Sequence, residues 1–183
     1  AAAGSRDNTP VVLTGSADGT VTYGNDSVTV DASHTQEGYL MVSYSGSNSK
    51  VKLQITGSDE ITYTYNLHDG YEPFPLTSGS GSYTVGVFEN IEGTSYSTLF
   101  TQAIDVTIQD EFGPYLYANQ YVNFSADSKV ISKAMELSAS ANDDLEVIEN
   151  VYNYIITNFT YDYDKAASVQ SGYLPDVDDV LAS

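Results

Sequence analysis

Two histidines, His34 and His68, and five aspartates near the C-terminal end, Asp162, Asp164, Asp176, Asp178 and Asp179, are the residues of this chain whose types could bind a metal or move protons. An EF-hand loop begun at Asp162 puts Ala166 and Ala167 where a ligand and the turn glycine belong, and one begun at Asp176 runs past Ser183 before it closes. Both starts fail. A carboxylate pair for glycoside hydrolysis needs a separation in space that sequence spacing does not set. Capping, turn formation and solvation are the expected roles of these aspartates. Asp69 and Glu72 lie close to His68, but no metal-ligand spacing is present, so both histidines are expected in surface loops.

The chain contains no cysteine, which removes disulfides, thiolate metal sites and thiol nucleophiles from it. Ser183 has no histidine after it in the chain to take its proton. No catalytic, cofactor-binding or metal-ligating residue is therefore assigned. The sequons at Asn25, Asn123 and Asn158 are expected by chance in a Ser/Thr-rich chain.

Six basic and 25 acidic residues give a net charge of −19, spread as −10 over residues 1–110 and −9 over residues 111–183. Nucleic acid is excluded as a partner, because six scattered cations cannot neutralise a phosphate backbone. No run approaches the ~18 apolar residues of a membrane-spanning helix. Abundant Thr, Ser, Tyr and Gly with scarce Lys resembles secreted bacterial surface proteins, which implies an extracellular or cell-envelope location. Residues 1–10 are expected to be a flexible terminus.

Over residues 11–110 the apolar residues alternate with polar ones. Strands are predicted at Ser27–Asp31, Tyr39–Ser45, Lys50–Thr56, Glu60–Leu67, Ser82–Glu89 and Ala103–Gln109, separated by Gly-rich turns such as "SADGT", "SGSNS" and "LHDGYEPFP". This spacing predicts an antiparallel β-sandwich of about seven strands, in an order that resembles immunoglobulin-like or fibronectin-like modules. Tyr44, Tyr63, Tyr65, Tyr83 and Tyr96 fall in strand-like segments, where aromatic rings serve cross-strand packing rather than sugar stacking.

After a Gly-Pro stop the period changes. Residues 111–126 are expected to be a docked connector that lays Tyr115, Tyr117, Tyr121 and Phe124 on neighbouring surfaces. Residues 127–183 are expected to be helical. A first helix is predicted behind an N-cap at Asp127 or Ser125, and a second runs to Phe159 behind a capping box of Asp143 and Glu146. Leu145, Ile148, Tyr152, Ile155 and Phe159 form the stripe of the second helix, with Val151 and Ile156 widening it, and Ile148, Tyr152, Ile155 and Phe159 are expected to be buried.

Ile148, Tyr152 and Phe159 on this helix, the turn at Tyr161 and Asp162, and the approach at Val180 and Leu181 resemble the amino-terminal part of a bacterial transglutaminase-like domain. The resemblance covers roughly residues 114–183 and implies an α+β, papain-related fold in which a catalytic Cys helix comes next. It implies Cys-dependent acyl transfer on amides by a downstream catalytic domain, of which this chain is the non-catalytic front part. The rival expectation is a self-contained cell-surface adhesion module that binds cell-wall glycan or protein. A stripe left uncovered also leads us to expect a homodimer through the C-terminal helices.

Overall fold

The computed structural model describes residues 6–182 and is an α+β structure with two antiparallel four-stranded sheets and four α-helices. Ser183 lies outside the described residues. The chain divides into two compact units, one of residues 13–120 and one of residues 6–12 with 121–182.

In the first unit β1 (Thr22–Gly24), β2 (Val28–Asp31), β3 (Tyr39–Tyr44) and β6 (Gly70–Pro75) form one sheet in the order β1-β2-β3-β6. The other contains β4 (Val51–Thr56), β5 (Thr62–Asn66), β7 (Gly81–Glu92) and β8 (Ser95–Val106), in the order β5-β4-β7-β8. Period-two alternation aims Val51, Leu53 and Ile55 of β4 and Tyr83, Val85 and Val87 of β7 at one side. They share a single core with Val28 and Val30 of β2, Leu40 and Val42 of β3, and Phe74 of β6. Tyr65 meets Phe74 there with ring centroids 5.0 Å apart.

The six predicted strands all appear, and two more accompany them. β1 is too short to carry a period. β6 lies in "LHDGYEPFP", which reads as a turn because of Pro73 and Pro75. Leu76 N–H donates to Gly38 O, so the even-numbered amides of this stretch face β3 and the two prolines fall where no N–H is needed, on the open side of an edge strand.

Residues 111–126 do not act as one connector. Their first part docks on the first unit: Gly113–Tyr115 is a 3₁₀ turn, and a Cβ on Gly38 would meet Pro114 at 2.5 Å. Gly38 also holds φ +93°, a conformation that favours glycine, so this contact is specified twice. Tyr117 tilts against Tyr39 at 4.4 Å. Phe124 is half-buried, but Tyr115 and Tyr121 are exposed, contrary to the docking expected of all four rings.

In the second unit the two expected helices are α1 (Lys129–Ser138) and α2 (Asp144–Asn158), and α3 (Tyr163–Ser168) and α4 (Val177–Ala182) follow them. The capping box of α2 is present: Glu146 N–H donates to Asp143 Oδ1 at 2.9 Å, and Glu146 Oε2 accepts from Asn142 N–H at 2.8 Å. The cap of α1 is not the one expected. Ser128 holds the N-cap position without a side-chain bond, and the Lys129 and Val130 amides donate instead to both oxygens of Asp178, at 2.9 and 3.2 Å. Residues 6–10, expected to be flexible, include Arg6, which donates to Asp144 at 2.7 Å, and Asn8, which donates to Ala141 O at 3.2 Å. Among the described residues no helix is long and apolar enough to cross a membrane.

The Tyr83 hydroxyl donates to Gly79 O at 2.7 Å and ties the turn before β7 to the core. Tyr83→Phe keeps the buried ring but removes that bond, leaving the exposed Gly79 carbonyl to water. A loss of about 1 kcal/mol is expected in urea unfolding, with the slope unchanged.

Candidate functional site

Sequence separation hides a polar cluster around His34 in the first unit. His34 Nε2 lies 3.0 Å from Asp18 Oδ2 and 3.2 Å from Ser16 Oγ, while Nδ1 lies 3.3 Å from Glu37 Oε1. Its ring stacks on Tyr39 with centroids 5.3 Å apart and planes 6° from parallel. The other oxygen of Glu37 accepts from the Tyr117 hydroxyl at 2.9 Å.

Serine, imidazole and carboxylate in this order have the connectivity of a hydrolytic triad. The protonation pattern argues against that chemistry. Ser16 Oγ donates to Asp18 Oδ1 at 2.8 Å, and the nitrogen that would accept its proton is itself held by the same carboxylate. Burial pushes His34 toward its neutral form, but the bonds to Glu37 and Asp18 outweigh it and raise its pKa above the ordinary value. With Nε2 held by Asp18 and Nδ1 by Glu37, neither ring nitrogen is free to take the serine proton. Burial and then the bond to Glu37 push Tyr117 up to about 12, so it stays a donor.

Beside this cluster Asp31 is buried yet ionised. Burial pushes its pKa up, but donors from Ser33 and Gly19 prevail and hold it below the usual carboxylate value. Its oxygens accept from Gly19 N–H at 2.6 Å and Ser33 N–H at 2.9 Å.

His68 is in a separate arrangement. Its Nδ1 lies 3.0 Å from Glu72 Oε1, which also accepts from Gln120 Nε2 at 2.9 Å. Gln120 donates further to Asn66 O at 2.6 Å, so this cluster ties residue 120 to the ends of β5 and β6. The expected surface-loop setting fits His68, which is half exposed, better than His34, whose side chain is largely covered. Among the described residues no group of three or more His, Asp or Glu is placed to hold a metal ion.

Three of the five C-terminal aspartates cap helices, and Asp164 and Asp179 lie in first turns. Asp162 accepts from Lys165 N–H at 2.8 Å, Asp176 accepts from Asp178 and Asp179 N–H at 2.9 and 3.0 Å, and Asp178 caps α1. The sequon amides are likewise used locally: Asn25 accepts from Ser27 and Val28 N–H, and Asn158 donates to Tyr154 O.

The strongest surface feature of the second unit is apolar. At 100° per residue the apolar residues of α2 sweep an arc of about 200°, from Tyr154 through Val151, Ile155 and Ile148 to Tyr152 and Ile156. One edge of this arc, Val147, Val151 and Tyr154, is half-buried. Asn150 on that side donates to Leu137 O at 2.9 Å, and Lys133 sits over the Tyr154 ring at 5.0 Å. Val151 and Tyr154 also help line an apolar groove of about 420 Å³, with Val130 and Leu137 of α1, Ile155 and Phe159, and Val180 and Leu181 of α4.

The other edge is uncovered. Leu145, Ile148 and Tyr152 are 75%, 62% and 61% exposed, Ile155 and Ile156 are exposed as well, and Phe159 is half-buried. This corrects the expectation that Ile148, Tyr152, Ile155 and Phe159 are buried. The helix turns the flank of its stripe toward α1 because the stripe is wider than one small helix can cover.

Ile148→Gln should therefore change the stability of the helical unit by no more than about 0.5 kcal/mol. Val151→Gln, one turn along on the covered edge, should cost about 1–3 kcal/mol. Chemical denaturation followed by helical ellipticity checks the pair, and equal losses would place the two residues on the same side. No protein-family model, curated protein or solved structure matches this chain.

Proposed function

We propose that this chain is the non-catalytic N-terminal region of a secreted transglutaminase-like protein. In this reading residues 13–120 are an immunoglobulin- or fibronectin-like sandwich, and residues 121–182 are the first helices of a papain-like domain. The observation that carries the proposal is the uncovered apolar edge of α2 beside a half-lined groove. A soluble surface rarely leaves such a stripe open, and the rest of a papain-like domain is a partner that would cover it within one protein.

The sandwich part of the reading is supported by connectivity. The chain passes between sheets after β3, returns after β5 and passes again after β6, as in a Greek key. Tyr83 near the start of β7, with its hydroxyl on a carbonyl four residues upstream, is the corner expected at that point of immunoglobulin-like modules. The parent would transfer acyl groups from amides through a Cys thioester, chemistry for which this chain supplies no thiol.

The coding sequence beyond residue 183 is expected to continue into a helix that begins with Cys, followed by His and Asp. A stop codon, or a continuation without them, overturns the proposal. The chain by itself is expected to give no amine incorporation or peptide hydrolysis above a buffer blank.

The isolated chain, with the α2 edge open, is expected to pair with a second copy through it at high concentration. Light scattering should then show a dimer for the wild type and a monomer for Ile148→Gln/Tyr152→Ser. A wild type that stays monomeric with Ile148 protected from solvent would mean that the helical unit covers its own face.

A further inference from the structure

Strand β3 is apolar on both sides. Leu40 and Val42 enter the core, yet Tyr39 and Met41, which point the other way, are also buried, at 2% and 5% exposure. What lies on them is the segment before β1. A Cβ at Gly15 would meet Met41 Sδ at 2.9 Å and Pro73 Cβ at 3.0 Å, so the backbone there runs against the outer face of the sheet. The segment is fixed at one end by a bridge between Leu13 and Tyr117, and at the other by Gly19 N–H on Asp31. Between these points it is held by Ser16 N–H on the Tyr39 hydroxyl at 3.3 Å and by the contacts of Ser16 and Asp18 with His34.

We infer that residues 14–18 form a strap over Tyr39 and Met41 that the doubly protonated His34 clamps shut, and that loss of one imidazole proton lets it open. The number of ring donors decides how many carboxylates are held. The imidazolium has two N–H groups for two carboxylates, Asp18 on the strap and Glu37 in the 3₁₀ turn that follows His34. A neutral ring has one N–H and one lone pair, so one carboxylate is left facing a lone pair.

Glu37 is also held by Tyr117, whereas Asp18 has Ser16 of the same strap, so the strap side is the one that gives. The remaining groups around the ring are Tyr39 of β3, stacked on it and neutral, and Asp31 of β2, whose carboxylate is itself favoured by the charge of His34. Because the folded pKa of His34 is raised, the clamp is complete below the unfolded-state value of about 6.5 and is lost as pH rises through the higher folded value.

The chain has two methionines, and they make the test internal. Met41 lies under the strap, while Met135 on α1 is 48% exposed. Dilute hydrogen peroxide transfers one oxygen to a reachable thioether and leaves water, and peptide mass spectrometry gives the ratio of Met41 to Met135 sulfoxide. Between pH 5.5 and pH 9 this ratio should rise roughly three- to tenfold in the wild type and stay level in His34→Gln.

If His34→Gln does not fold, Asp18→Asn serves, with a ratio already raised at pH 5.5 and little further response. A flat wild-type ratio, or an equal rise in the variants, overturns the inference. So does a rise accompanied by lost amide protection at Leu53 and Val85, which would report opening of the whole core.

Discussion

The packing of two sheets around one apolar core governs the rest of the first unit. Leu53, Val85, Leu40 and Phe74 come from strands far apart in sequence, and each is fully buried. Burying side chains of this size stabilises by about 1.5–3 kcal/mol each relative to exposure, more than a typical neutral hydrogen bond contributes. Once those residues face inward, the pleat dictates what faces outward. On β4 and β5 these are Gln54, Thr56, Thr62 and Thr64, which water accepts, and Thr56 pairs with Thr62 at 2.8 Å. On β3 they are Tyr39 and Met41, which water does not readily accept.

Two elements are thus apolar on more sides than their main packing partner can use, and they meet different fates. β3 receives a second cover from its own chain, the segment before β1, and that cover is pinned by charged and polar groups rather than by apolar contact alone. α2 has its inner edge against α1, and its outer edge stays open. The same excess of apolar surface is resolved inside the fold in one place and presented outward in the other.

The acidic surplus has a structural use as well as a solvating one. Asp143, Asp162 and Asp176 each accept backbone amides at the start of a helix, and Asp178 does so for a helix other than its own. Carboxylates at these positions satisfy orphan N–H groups and face the positive end of the helix dipole. In the sheet unit Asp31 plays a comparable part for a loop.

The sequence by itself determined whatever depends on neighbours a few residues away. Alternation placed six strands, the box at Asp143 and Glu146 opened α2, and the aspartate spacing ruled out calcium loops in favour of caps, because each of these is decided by local backbone geometry. It also showed that α2 carries a broad apolar stripe. It did not show which edge is covered, since an arc of about 200° is compatible with several rotations and only the placement of α1 selects one. β6 was hidden because prolines are allowed in a strand only at an edge, and an edge exists only once the sheet is assembled. The cluster of Ser16, Asp18, His34, Glu37 and Tyr117 spans a hundred residues and has no motif: its members meet because the strap, the 3₁₀ turn and the segment after β8 converge on the outer face of β3. Donor counts and burial, which set the charge on His34, exist only there.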